Sequence, residues 1–212
     1  MDMWYPAAIR RLGPPQKQYA QRNSVRGVVL HSMVGSVVAA FGELDRAARQ
    51  ASWTFSIAKN GMVYQHYPLD AAAWHCGSPE WNTKLVGIEH EGGPVGNESE
   101  PLTALQREAS VMLVRWIAQQ GGWAPARSGA KTLYEHREVS PVPTACPSYR
   151  IPWSAYVAPP SAGTSPALTL EETYLAVTDA FIPAYQTGYD TTFKPLPRRD
   201  GADVYELIRR KR

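Results

Sequence analysis

Thr132-Leu-Tyr-Glu-His-Arg-Glu-Val-Ser-Pro-Val-Pro-Thr-Ala-Cys-Pro-Ser-Tyr-Arg-Ile-Pro-Trp153 carries a histidine, His136, and a cysteine, Cys146, ten positions apart. Structural zinc sites usually bring their ligands in close pairs, so this spacing does not by itself describe a finger. A third ligand has to come from elsewhere in the chain. Val28-Val-Leu-His31 offers one, because a β-branched run that ends in histidine reads as a buried strand delivering a side chain at its tip. Two histidines and one cysteine with an open fourth position is the composition of a catalytic zinc site. His31 and His136 lie far apart in sequence, so such a site is assembled by a whole fold. A histidine closing a strand is more often an ordinary hydrogen-bonded residue, and His31 gains its meaning only within this set.

Working outward, Val25 to Met33 reads as the first strand and Val37 to Gln50 as an amphipathic helix, with Phe41, Leu44 and Ala48 at helical spacing. Trp53 to Ala58 alternates with period two, Asn60-Gly61 is a strong hairpin signal, and Met62 to Tyr67 resumes as a strand. Ala71 to Asn82 suggests a short helical turn running into a loop, and Lys84 to Glu91 a further strand. Thr103 heads a long helix whose apolar stripe is expected to be Leu105, Ala109, Met112, Leu113, Trp116 and Ile117, ended by Gly121-Gly122. The fold class that follows is α/β, a mixed central sheet flanked by helices. Its expected organisation is a Pro-rich lead-in over 1–24, a catalytic domain over 25–158, a linker over 159–167 and a C-terminal extension over 168–212 that starts with a helix.

The composition is that of a globular protein: 212 residues, 44% hydrophobic and 19% charged, with a net charge of +3. That mild charge and the lack of a clustered basic stripe argue against a nucleic-acid partner. No apolar run reaches the roughly 20 residues of a spanning helix. The start Met1-Asp-Met-Trp-Tyr-Pro6 lacks the basic end and apolar core of a signal peptide, so synthesis in a cytoplasm is expected; a monomer is favoured, on no feature of the N-terminus. Cys76 and Cys146 could in principle pair, but reduced thiols fit that compartment better, which leaves Cys146 free as a ligand and Cys76 a bystander.

In Gly87-Ile-Glu-His-Glu91, period two sends Glu89 and Glu91 to one face and Ile88 and His90 to the other. A carboxylate on the metal side can take the proton of an attacking water and return it to a leaving amine, which makes Glu89 the candidate acid/base. Val-Val-Leu-His31-Ser, Ala-Trp74-His75, Asn82-Thr-Lys-Leu-Val-Gly-Ile-Glu89-His-Glu-Gly92, His136-Arg-Glu-Val-Ser and Thr-Ala-Cys146-Pro together resemble the zinc-dependent N-acetylmuramoyl-L-alanine amidases of type 2. That family includes phage endolysins and is related to the peptidoglycan recognition proteins.

The resemblance implies one zinc per chain on His31, His136 and Cys146, and cleavage of the amide joining N-acetylmuramic acid to L-alanine in peptidoglycan or muropeptides. It implies a lytic role, with a muropeptide-recycling amidase and a non-catalytic binding module as the alternatives. Two departures stand out. Relatives often carry tyrosine at the position of Trp53, and many carry lysine at the position of Thr144. Trp53, Trp74, His75, Asn82 and Thr144 are the candidates for substrate contact, the tryptophans as an apolar wall. His66, between Tyr64 and Tyr67, is expected to pack at the surface.

Overall fold

Alternate residues of Gly27-Val-Val-Leu-His-Ser32 face opposite sides of a sheet, and in this strand both sides are buried. That is the pattern of a central strand covered on its two faces. A computed structural model gives the coordinates; it describes residues 3–93 and 95–158 and two further strands at 189–195 and 205–211. The chain divides into two compact units, Met1–Ser161 and Ala162–Arg212.

The first unit holds a six-stranded mixed sheet in the order β1-β4-β3-β5-β2-β6. The strands are β1 (Ile9–Arg10), β2 (Gly27–Ser32), β3 (Phe55–Ile57), β4 (Val63–Gln65), β5 (Leu85–His90) and β6 (Leu133–Glu135). β2 lies parallel between β5 and β6, and β3 runs parallel to β5. β3 and β4 form the antiparallel hairpin that Asn60-Gly61 announces, and Gly61 supplies the positive φ of 85° that its turn requires. Val28, Leu30, Phe55, Ile57, Val86, Ile88 and Leu133 point to one face, where they meet Leu113, Val114 and Ile117 of α3 (Ala104–Gly121) and Tyr156 of α5 (Trp153–Val157). The opposite face carries Val29, Leu85, Cys76 and Val139, the last from α4 (His136–Val139).

The helices begin and end on local signals. Ser36 caps α1 (Val37–Asp45) by accepting from Ala39 N, and Thr103 caps α3 by accepting from Gln106 N. Gly122, at φ 70°, closes α3 in the left-handed conformation. α1 stops at Asp45, short of the expected Gln50, because the buried Lys17 ammonium donates to the carbonyls of Leu44 and Arg46, both at 2.7 Å.

Several expectations are corrected. The first 24 residues are no lead-in: β1 pairs in parallel with β4, and Lys17 and Asn23 are buried. The helical turn foreseen near Ala71 forms instead at α2 (Pro79–Asn82), where proline suits the first turn and Ser78 caps. The buried stripe of α3 is Gln106, Ser110, Leu113, Val114, Ile117 and Ala118, while Leu105 and Met112 are exposed. His66 is buried: Ser56 Oγ, 2.9 Å from its Nε2, and the Arg11 carbonyl, 2.7 Å from its Nδ1, pin it between the sheet and the N-terminal segment.

In the second unit, β7 (Tyr189–Pro195) and β8 (Tyr205–Lys211) form an antiparallel pair. The linker and the helix expected over residues 168–185 lie outside the described residues. Among the described residues no helix is long and apolar enough to cross a membrane.

Candidate metal centre

Since Val28 and Leu30 face α3, His31 projects from the other side of β2. On β5 the same alternation turns Ile88 and His90 toward α3 and Glu89 away. The register pairs His31 directly with Glu89, and Glu89 in turn with Ser56 of β3. His31 Nδ1 consequently lies 3.8 Å from Glu89 Oε1. On the other flank of β2, β6 runs straight into α4, whose first residue is His136; its ring stands against that of His31 with centroids 4.5 Å apart. Cys146 arrives from the loop beyond α4. Its Sγ accepts from Ser32 N at 3.3 Å and lies 4.0 Å from His31 Nδ1. One ligand atom each from His31, His136 and Cys146 falls within 4.8 Å of the others, so two strand ends and one loop bring together the three residues singled out by sequence.

Burial sets the electrostatics of this group. His31 is held well below its ordinary pKa, first by desolvation and then by the neighbouring His136 and His75, and desolvation also lowers His136. Both imidazoles are therefore neutral near pH 7, as a metal ligand must be. Desolvation, with the Glu89 carboxyl beside it, pushes the Cys146 thiol up to about 12, so a thiolate forms there by exchanging its proton for a cation. Glu89 is raised to about 8 by burial, and its Oε2 has no hydrogen-bond partner. A dication in the site would draw the carboxyl back toward its charged form.

The donors themselves decide which group fits. Two neutral imidazoles and one thiol are borderline to soft ligands, which suit zinc and exclude the all-oxygen sites of magnesium and calcium. Three protein ligands would leave a zinc ion a coordination position for water or substrate. The disulfide alternative is excluded by the structure, in which Cys76 and Cys146 are both free.

The remaining candidates separate. Trp53 is buried and its indole N–H donates to Ser56 Oγ at 2.7 Å, so it belongs to the core and not to a substrate wall. Asn82 is also internal: its Oδ1 accepts from the backbone N–H groups of His75 and Cys76, at 3.2 and 3.1 Å, and from the Cys76 thiol at 2.9 Å. His75 is buried, with its ring nitrogens 3.1 Å from His31 Nε2 and from the Leu85 carbonyl. Trp74 is half-buried with its ring edge against Tyr19, and Thr144, also half-buried, accepts from Cys146 N at 3.2 Å.

Two further features escape a sequence reading. Arg150, buried, donates to Ser32 Oγ at 2.6 Å, to the Glu91 carbonyl at 2.9 Å and to the Glu100 carbonyl, tying the Cys146 loop to the ends of β2 and β5. On the α3 face, His90 lies 2.8 Å from the His31 carbonyl and 2.7 Å from Ser110 Oγ, which also accepts from the Tyr156 hydroxyl. Period two placed His90 away from the metal side, but nothing local identified the serine it would meet.

Residues 21–149 match the sequence profile of the N-acetylmuramoyl-L-alanine amidases. Over 134 residues the chain is 25% identical to Endolysin 2638A of Staphylococcus phage 2638A, covering 60% of this chain and 26% of that protein, so it spans about a quarter of the length of this relative. Among solved structures, a selenomethionine derivative of AmpD superposes with a TM-score of 0.57 at 19% identity, covering 74% of this chain and 96% of that one. N-acetylmuramoyl-L-alanine amidase LysC from Clostridium intestinale URNW gives 0.51 at 19% identity, with 72% and 95% covered. Peptidoglycan recognition protein-LE, solved in complex with tracheal cytotoxin, gives 0.53 at 17% identity, with 69% and 91% covered. At these identities the structural likeness establishes a shared fold.

Proposed function

The chain belongs to the N-acetylmuramoyl-L-alanine amidase family of type 2, and from that premise we propose that it hydrolyses the amide between N-acetylmuramic acid and L-alanine in peptidoglycan, with one zinc held by His31, His136 and Cys146. The observation that carries the reading is the convergence of those three ligand atoms within 4.8 Å, with the Glu89 carboxyl 3.8 Å from His31 Nδ1. When bound, zinc supplies Lewis acidity toward water and the amide carbonyl.

The protein's own groups account for the rest. Glu89, half-buried and with Oε2 unpartnered, would take a proton from water and return it to the departing amine of L-alanine. A carboxyl that desolvation raises to about 8, and that a bound dication would lower, suits both transfers close to neutral pH. Arg150 keeps the Cys146 loop on the sheet while this happens. With Thr144 where many relatives place lysine, no ammonium is available from that position to steady the developing oxyanion; a zinc held by His31, His136 and Cys146 would supply that stabilisation. The similarity to Endolysin 2638A supports a role in lysing a host wall from within.

Digestion of purified peptidoglycan with product analysis tests the reaction. Free L-alanine amino termini without new reducing sugar ends are expected. New reducing ends, or cuts within the stem peptide, would replace the amidase reading with a glycosidase or a peptidase.

A further inference from the structure

His75 was expected at the substrate surface, yet it lies inside the fold at 8% exposure, and its two ring nitrogens have different kinds of neighbour. Nε2 lies 3.1 Å from the carbonyl oxygen of Leu85, an atom that can only accept. The ring hydrogen of a neutral His75 is therefore on Nε2, and Nδ1 bears a lone pair. That lone pair is 3.1 Å from Nε2 of His31, so the His31 Nε2 must carry a hydrogen and donate it. His31 is then left with its lone pair on Nδ1, the atom that faces Cys146 Sγ and Glu89 Oε1. The competing tautomer is the less favoured: Glu89 Oε1, at 3.8 Å, is beyond hydrogen-bond reach of Nδ1, and Cys146 Sγ, at 4.0 Å, makes only a long contact in which the thiol can itself donate to the Nδ1 lone pair.

The His75 ring is itself built into place. Its backbone N–H and that of Cys76 are held by Asn82 Oδ1. The ring packs against β5 at Gly87, where an added Cβ would come within 2.6 Å of the His75 Cγ. Only glycine leaves room there, on the same face of the strand as Glu89 and two residues before it. Gly87-Ile-Glu89 thus spends one position on seating His75 and the next on that face on chemistry.

We propose that His75 is a positioning residue that fixes His31 as the Nε2–H tautomer and so presents Nδ1 to the metal, with Gly87 and Asn82 holding it there. This rests on the reading of His31 as a zinc ligand, but it concerns an interaction that exists before any metal arrives. A second group that orients a ligating histidine is typically worth about 10- to 100-fold in metal affinity.

Long-range proton–nitrogen NMR of the full-length, metal-free protein reads the tautomers directly. Both His31 and His75 are expected with the hydrogen on Nε2, and a His31 carrying it on Nδ1 would overturn the proposal. Zn²⁺ affinity, measured by chelator competition, is expected to fall about 10- to 100-fold in His75→Ala, with His31 becoming a mixture of tautomers. His75→Asn, whose amide oxygen can stand near the Nδ1 position, should restore most of the loss. Unchanged Zn²⁺ affinity in a folded His75→Ala protein refutes the idea. Should that variant not fold, Gly87→Ala, which pushes the ring aside while keeping it present, is expected to show the same weakening, and wild-type affinity there is the refuting result. Failure of the wild-type protein to bind Zn²⁺ would sink the metal-centre reading, while the His31 spectrum would still decide the tautomer.

Discussion

Replacing Glu89 by Gln keeps the shape of the side chain and removes its proton chemistry. Turnover on peptidoglycan should fall by about 10²- to 10⁴-fold, with zinc content unchanged, as general acid–base catalysis is worth that much; full turnover in a zinc-loaded Glu89→Gln protein would assign the role elsewhere. Cys146→Ser gives the complementary result, a loss of zinc measurable by metal analysis. His66 carries a pH prediction away from the site. Burial lowers its pKa from 6.5 to about 4, so below pH 6.5 the unfolded chain takes up a proton that the native state refuses. Stability is therefore intact above pH 6.5 and is lost as pH falls toward 4, by roughly 3 kcal/mol if the whole shift is realised. Denaturant unfolding at pH 7 and pH 5 should show a smaller difference in His66→Gln than in the wild type; an equal difference would remove His66 from the account.

Elements were readable where their signals are local. Period two in Gly87 to Glu91 separated Glu89 from His90, Asn60-Gly61 marked the hairpin, and Thr103 and Gly122 marked both ends of α3. What failed depended on tertiary neighbours. The stripe of α3 was misjudged because its buried face includes Gln106 and Ser110, which an apolar count passes over. Both are tied in by hydrogen bonds: the Gln106 amide nitrogen donates to the Ile57 and Glu91 carbonyls, and Ser110 bridges His90 and Tyr156. His66 looked superficial because the segment that covers it comes from the far side of the sequence. The end of α1 depended on Lys17, a residue earlier than the helix itself. Lys17→Met should leave the Leu44 and Arg46 carbonyls without their donor and cost about 1–3 kcal/mol in unfolding free energy. A wild-type unfolding curve would show that another group caps them.

For the molecule as a whole, residues that looked like a tether are part of the fold. Deleting residues 1–24 removes β1, the Lys17 cap and the cover over His66, and a markedly lower melting temperature is expected from calorimetry; an unchanged one would return the segment to the role of an appendage. If zinc binds the native group as proposed, it should raise the melting temperature in proportion to the logarithm of its free concentration once the site saturates. The three proposed zinc ligands sit on supports of unequal firmness. His31 is on a strand hydrogen-bonded on both sides, and His136 starts a helix directly from the neighbouring strand, while Cys146 rides a loop secured by Arg150. If zinc occupies this group as proposed, its exchange is expected to be timed by the loop that carries Cys146 and not by opening of the sheet. Weakening Arg150 should shorten the residence time of zinc far more than it alters the rate at which the protein unfolds.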